Sequence, residues 1–393
     1  MRGVILSDIH LGRFKYGKID LKTGLDYRTL DILNNIQQAF DFAVAKQVNW
    51  VSITGDFYHT KKPPQIFRRL LSEKIEWLLS KKILLFLMLG NHDQGKSQGH
   101  DMVELTELSD HIKNLYVIEH PETFDIGEGT LCFLPHVNKF DYNIADTDYY
   151  ARRLLHIKEL EGDATHSDKK YKLFFGHFGT DCSTVGKSFD LGAANADKVV
   201  PLTTFDGKVW TKVYLGDIHK QQEMNDVCRH IGSIARVDFG EEGELKGFYY
   251  FEDGTDKFIM VKDREFRTLT VDLTQGTDVR ESMKQFCYDV QDFDLSQAIV
   301  RLKVTIKSTD KGAISFKGIE DYLKEETWNY IGKSINEIHV DNDQKINLTD
   351  NQELNYVGMF ERYVAGLNLD EKIVDDVLKT GREMLGELIK EEM

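Results

Sequence analysis

The chain has 393 residues, a hydrophobic fraction of 41% and a formal charge of −15, which predicts a folded protein too long for one ordinary core and divided into two or three domains. That charge excludes a protein that coats nucleic acid by bulk electrostatics, although cations held locally among the acidic groups would reverse the field and keep a nucleic-acid substrate open. No apolar run reaches bilayer length, the opening Met1-Arg2-Gly3 leads straight into a strand rather than a leader, and Cys132, Cys182, Cys228 and Cys287 lack zinc or redox spacing, so a cytoplasmic protein with reduced thiols and no membrane association is expected.

In chain order, the apolar run Val4 to Leu6 breaks off into Asp8 and His10. A basic, aromatic loop follows, with Arg13, Lys15 and Lys18 as candidate phosphate contacts or a solvated surface. Ile32, Leu33, Ile36, Phe40 and Val44 recur at helical spacing and predict a helix covering a sheet. Trp50, Val51 and Ile53 lead to Gly55, Asp56 and His59, and Pro63-Pro64 mark the loop beyond. Lys61 and Lys62 in that loop are further candidate DNA contacts, although a solvated face explains such charges more often. Phe67, Leu71, Ile75 and Leu78 form the stripe of a second helix, and Leu84 to Leu89 ends in Gly90, Asn91, His92 and Asp93.

The later half is richer in strands, expected over Leu131–Leu134, Lys172–Phe175, Lys212–Leu215, Phe248–Phe251 and Lys257–Val261, so a sandwich fits better than a purely parallel sheet. Leu173 to Phe175 ends in Gly176-His177, and Val213 to Leu215 ends in Gly216, Asp217 and His219. The polar stretch Asp163 to Lys170 is expected to be an exposed loop. Residues 266–345 are expected to form a small α+β accessory domain, with a strand over Val300–Ile306 and a helix around Ile319–Leu323. From Asp350 a capping box opens a helical tail over 346–393, with Leu354, Val357, Phe360, Tyr363 and Val364 on one face, the pattern a partner groove receives.

Buried strands that end in carboxylates, imidazoles and an amide are an expensive cluster unless something pairs them. Two divalent cations about 3.5 to 4 Å apart would do so with a bridging carboxylate and a mixed oxygen and nitrogen shell, and would clamp the attacking and leaving oxygens of a phosphodiester.

The order Asp8-x-His10, Gly55-Asp56, Gly90-Asn91-His92-Asp93, Gly176-His177 and Gly216-x-x-His219 resembles the calcineurin-like metallophosphoesterase superfamily. Within it, His59 after Asp56, the run Leu215 to Lys220, Gly232-Ser233, Arg236, Phe239 and Lys246-Gly247 resemble SbcD-type DNA repair nucleases over roughly residues 1–265. The resemblance implies an α/β fold: a β-sandwich flanked by helices over 1–265, followed by the accessory capping domain that contacts DNA and the tail that docks on an SbcC-type ATPase. It implies one ion held by Asp8, His10, Asp56 and His219 and a second by Asp56, Asn91, His177 and position 217, with manganese favoured. His92 would protonate the leaving oxygen, His59 would orient or tune His92, and a homodimer would place two sites across DNA. Asp217 stands where the family usually has histidine; it can still ligate through oxygen and would favour a harder ion. A phosphatase of the same superfamily and a scaffold with a weakened site are the alternatives. ATP binding by this chain is not expected, because no Gly-rich loop ends in Gly-Lys-Ser or Gly-Lys-Thr.

Overall fold

The computed structural model describes residues 1–13, 15–93, 112–136, 146–185, 189–190, 199–205, 207–275, 278–338 and 377–381. The chain starts as β1 (Arg2–Leu6), crosses through α1 (Tyr27–Ala45) to β2 (Trp50–Thr54) and through α2 (Gln65–Leu79) to β3 (Leu84–Met88), and β4 (Leu115–Ile118) ends this parallel run. β5 (Glu122–Ile126) and β6 (Gly129–Leu134) form a hairpin, followed by α3 (Asp146–His166), β7 (Tyr171–His177), the short pair β8 (Thr184–Val185) and β9 (Phe189–Asp190), β10 (Lys212–Gly216), β11 (Gln222–Glu223) and β12 (Cys228–His230). β13 (Gly247–Glu252) and β14 (Thr255–Met260) return to the first sheet beside β1. Two six-stranded mixed sheets result, in the orders β14-β13-β1-β2-β3-β4 and β11-β12-β10-β7-β6-β5.

Alternation along the strands builds the layers. Ile5, Trp50, Phe86 and Met88 point to the space between the sheets and meet Phe133, Phe175 and Tyr214 from the other one, with Phe133 stacked on Phe175 at 4.6 Å. The intervening Val4, Leu6, Val51, Ile53, Leu85 and Leu87 face Ile32, Ile36, Phe40, Leu71 and Leu78 of α1 and α2. Each of these fully buried side chains contributes on the order of 1.5–3 kcal/mol. α1 starts where Asp26 accepts from the Arg28 amide at 2.7 Å, a side-chain cap on its first turn. On the far side, Ile157 and Leu160 of α3 cover Phe174 and Val213. This helix corrects the expectation of a loop from Asp163: helical hydrogen bonding continues to His166, because the apolar stripe that ends in buried Ala164 draws the polar residues after it into the last turn.

The third sheet, β15 (Phe266–Asp272), β16 (Ile299–Lys307) and β17 (Asn329–Ile338), is parallel throughout. Parallel neighbours need crossovers, here α4 (Val279–Gln291) and α5 (Lys317–Glu326). Val271, Leu302, Val304, Met283 and Leu323 form its own core. Where it meets the sandwich, Phe239, Phe266 and Ile299 are buried with Tyr16 and Trp328 packed against them.

Met1–Ile338 form one compact unit and His339–Met393 another. In the second unit only 377–381 are described, as helix, so Leu354, Val357, Phe360, Tyr363 and Val364 lie outside the described residues. Among the described residues no helix is long and apolar enough to cross a membrane.

Candidate metal centre

Parallel pairing aligns the C-terminal ends of β1, β2 and β3 on one edge, and those of β7 and β10 on the edge facing it. Within the first edge Ser7 Oγ donates to the Thr54 carbonyl at 2.9 Å, and the same carbonyl ties the two layers by accepting from His177 Nδ1 at 2.8 Å. That second bond sets the imidazole's tautomer and leaves its Nε2 turned inward.

The glycines before the ligating positions are required by closeness. At Gly55 (φ +96°) a Cβ would lie 2.3 Å from His177 Nδ1, and at Gly90 one would lie 2.2 Å from Asp56 Oδ1. The acidic and imidazole residues themselves sit in left-handed backbone: Asp8 at φ +51°, His10 at +47°, Asp56 at +55° and Asp217 at +78°. Such conformations cost about 1–3 kcal/mol each and persist where the surroundings enforce them. Here the enforcement includes backbone bonds from the Asp8 amide to the Gly55 carbonyl at 3.1 Å and from the His10 amide to the Asp56 carbonyl at 2.9 Å.

Asp56 is the centre of the arrangement. Its Oδ1 lies 3.5 Å from His177 Nε2 and its Oδ2 lies 3.5 Å from His10 Nε2, so its oxygens face different imidazoles. His10 Nε2 and His219 Nε2 are 2.9 Å apart. The ligating atoms of Asp8, His10 and His219, and likewise those of Asp8, Asp56 and His177, lie within 4.8 Å of one another. Asp217 Oδ1 reaches to 4.0 Å from His177 Nε2. All seven residues expected as ligands are therefore gathered at one place.

Three observations test whether a cation fits. Buried Asp8 Oδ2 has no hydrogen-bond partner. The Asn91 side-chain amide stands 3.1 Å from His177 Nε2 and beside the Asp56 carboxylate, which brings an amide oxygen into the same group of donors. The donor set, carboxylate, amide and imidazole, is that of a divalent transition ion. The residues fit.

Without an ion the cluster balances its charge with protons. Burial raises the Asp8 carboxyl although His177 and His219 oppose it. Burial also works to raise Asp56, yet His177 and His10 outweigh it and hold that carboxyl below the usual carboxylate range. His177 is raised because Asp56 and Asp8 overcome the cost of burying its charge. Cation binding would expel these protons, which makes uptake pH-dependent.

Around this set stand residues that position it. The Asp93 carboxylate accepts from the amides of Asp56 (2.7 Å), Phe57 (2.9 Å) and Gly90 (2.9 Å), and burial, then the Asp56 charge, pushes it up to about 7. Glu241 accepts from His219 Nδ1 at 2.8 Å and pairs with buried Lys246 at 2.7 Å. Sequence reasoning missed Glu241 because 22 residues separate it from His219; Asp93 was visible only as the end of the Gly-Asn-His-Asp run. His136, two residues beyond β6, donates its amide to the Leu89 carbonyl at 3.0 Å, and burial and then His177 keep its imidazole low.

His92 donates its amide to Asp56 Oδ1 at 2.9 Å, and its Nδ1 donates to the His59 carbonyl at 3.0 Å, leaving Nε2 as the outward nitrogen. His59, expected to orient or tune His92, makes this contact through its main-chain oxygen. The His59 ring stacks 5.8 Å from that of His92, and its Nε2 lies 3.3 Å from Arg13 Nη1. Burial and then Arg13 keep His59 below its ordinary range, so it accepts from Arg13 as a neutral ring.

Of the candidate phosphate contacts, Arg13 lies beside the centre. It pairs with Asp238 at 3.6 Å and lines a cavity of about 320 Å³ with Asp217, His219, Lys220 and Glu241. Lys15 sits 5.2 Å over the Tyr16 ring. Lys18 turns away, bonding the Trp328 carbonyl, so its ammonium is engaged by the third sheet's loop. Lys61 is half-buried and Lys62 exposed.

The calcineurin-like phosphoesterase family model matches residues 1–221. DNA double-strand break repair protein Mre11 of Methanococcus maripaludis is 32% identical over 98 residues, which are 25% of this chain and 24% of that protein. The chain thus matches about a quarter of that relative's length. Among solved structures, a dimetal phosphatase from Danio rerio is 12% identical over 66% of this chain and 98% of its own, with a TM-score of 0.39. GAP50, the anchor in the inner membrane complex of Plasmodium, is 14% identical over 67% and 85%, with a TM-score of 0.41. The model's match to more than half of the sequence, over the segment that carries most of the gathered side chains, shows that the chain belongs to the calcineurin-like phosphoesterase family.

Proposed function

We propose that this metal-dependent phosphoesterase is a DNA nuclease that hydrolyses phosphodiesters at double-stranded ends and in single strands, as a homodimer working with an SbcC-type ATPase in break repair or recombination. Asp8, His10, Asp56 and His219 would hold one divalent cation, and Asp56, Asn91, His177 and Asp217 the other, with manganese as the expected ion. The observation that carries the reading is Asp56, whose oxygens face different imidazoles at 3.5 Å beside an unpaired buried oxygen of Asp8. The Mre11 match supports DNA as the substrate class. Residues 266–345 would serve as the DNA-contacting accessory domain, and 346–393 as the ATPase-binding segment.

Bound cations would supply charge stabilisation on the phosphate oxygens and a nucleophile at neutral pH. The chain's own groups do the rest. His92 presents Nε2 to the leaving oxygen, with Nδ1 fixed on the His59 carbonyl at 3.0 Å, and delivers the proton. Thr54 holds His177 and Glu241 holds His219, each through Nδ1, so that both Nε2 atoms face the centre. Arg13, beside the centre, would meet a backbone phosphate.

The test uses manganese with linear duplex DNA and, separately, a phosphomonoester, on wild type and His92→Ala. DNA cleavage lost in the variant is expected; phosphomonoester turnover without DNA cleavage would reject the nuclease. Neither reaction, with the ATPase still bound, would favour a scaffold.

A further inference from the structure

The two halves of the donor set differ in composition and in the kind of donor each opens to water. One half offers two oxygens and two nitrogens, from Asp8, Asp56, His10 and His219. The other offers three oxygens and one nitrogen, from Asp56, Asn91, Asp217 and His177. Each half reaches the cavity beside the centre through one donor, the His219 imidazole (28% exposed) in the first and the Asp217 carboxylate (38% exposed) in the second, while Asp8, His10 and His177 are buried. The Asp217 turn is nevertheless fixed: its amide donates to Asp8 Oδ1 at 3.2 Å, at a backbone φ of +78°.

We propose that Asp217 makes the centre asymmetric: the Asp8–His10–His219 half binds its ion tightly and accepts nitrogen-preferring cations, while the Asn91–His177–Asp217 half is an exchangeable site selective for hard divalent cations such as Mn²⁺ and Mg²⁺. Imidazole donors suit Zn²⁺, whereas carboxylate and carbonyl oxygens suit Mg²⁺ and Mn²⁺. A half with one nitrogen and a carboxylate open to water gives up the soft-ion advantage and keeps room for the water ligands that hard ions retain. Asp217 is the only one of the seven whose carboxylate combines that exposure with that reach toward His177. The inference rests on the metal-centre reading above and is independent of the substrate.

The experiment is titration of the full-length metal-free protein by calorimetry, first with Mn²⁺ and then with Zn²⁺, with Mn²⁺ counted by electron paramagnetic resonance and no DNA present. Two Mn²⁺ steps are expected, the second weaker by about tenfold or more, with Zn²⁺ displacing one Mn²⁺ well before the other. Asp217→Asn weakens only the second Mn²⁺ step, by roughly tenfold, and Asp217→His shifts that step toward Zn²⁺ by a similar factor. Circular dichroism melting confirms that both variants fold. Equal steps with one common ion preference, or a second step unmoved by both substitutions, would overturn the asymmetry. Failure to bind any Mn²⁺ would overturn it together with the metal-centre reading. Two ions bound as described to a protein that leaves DNA intact would support the asymmetry and sink only the nuclease.

Discussion

The edge of the sandwich and the small parallel sheet are made of similar apolar strands, yet they differ in what they bury. At the edge, Ser7, Asp8, His10, Asp56, Asp93, His177 and Lys246 are all buried; among the described residues of 266–338, Thr327 alone is a buried polar residue. Buried side-chain atoms without a partner include Asp8 Oδ2, His10 Nδ1 and His59 Nδ1 at the edge and Trp50 Nε1, Ser52 Oγ and Trp210 Nε1 in the sandwich interior, and none among the described residues of 266–338. A region that satisfies itself is complete as scaffold, while one that leaves lone pairs buried has been shaped for something added. Among the described residues Asp8 Oδ2 is the one carboxylate oxygen so left, which marks the edge by its chemistry rather than by unpaired atoms alone.

The sharpest way to break that contrast is to remove Asp56 and, separately, a core residue of the small sheet. Asp56→Ala should abolish Mn²⁺ uptake by both halves and reduce phosphodiester hydrolysis by on the order of 10³-fold or more. Leu302→Ala, at a fully buried position, should cost about 2–5 kcal/mol in urea unfolding and leave Mn²⁺ uptake as in wild type. If both substitutions impair uptake equally, the two regions are not separate in kind.

A finer cut lies within the edge. His92→Ala should lower the rate by roughly 10²- to 10⁴-fold with Mn²⁺ uptake intact. His59→Ala keeps the carbonyl that anchors His92 and should lose less than about tenfold. Equal losses in kcat would mean that the His59 ring, rather than its backbone, is the working part.

The next effect is on stability. Burial works to raise the Glu241 carboxyl, but His219 and Lys246 prevail and hold it down to about 2, against an ordinary 4.5. As pH falls the unfolded chain takes up this proton first, so the contribution is complete above about pH 4.5 and is lost between there and about pH 2. Metal-free Glu241→Gln should therefore show a flatter fall in urea midpoint over that interval; an unchanged slope would place the acid sensitivity elsewhere. The smallest effect is a labelling pattern. Burial pushes the Cys132 and Cys228 thiols up to about 12, so both should resist thiol reagents in the native protein while exposed Cys182 reacts. Rapid modification of Cys228 would show that the second layer opens.

Much of this was legible beforehand because strand tips are local. An apolar run that breaks off into Asp, His or Asn names both the strand and the group at its end, so all seven expected ligands could be picked from single stretches. The crossover helices α1 and α2 announced themselves by their stripes. What could not be read depends on chain-distant contact. Glu241 reaches His219 through the fold, and the bond from His92 to a backbone oxygen of residue 59 leaves no mark on side-chain identity. The end of α3 escaped because polarity after Ala164 looked like a loop, and the all-parallel pairing of the small sheet is invisible in strands that read alike in either direction.

The aromatic knot at the junction has one further consequence. Tyr16 follows Arg13 by three residues, and Phe239 precedes Glu241 by two; their rings meet at 5.1 Å, and both rest on Phe266 of the small sheet, at 5.8 and 4.9 Å. The Tyr16 carbonyl is also gripped by Asn329 Nδ2 at 2.8 Å. Any tilt of that sheet therefore tugs two lips of the catalytic mouth at once, the arginine on one side and the histidine's tether on the other. Load borne far from the gathered side chains would be felt there as a change of grip.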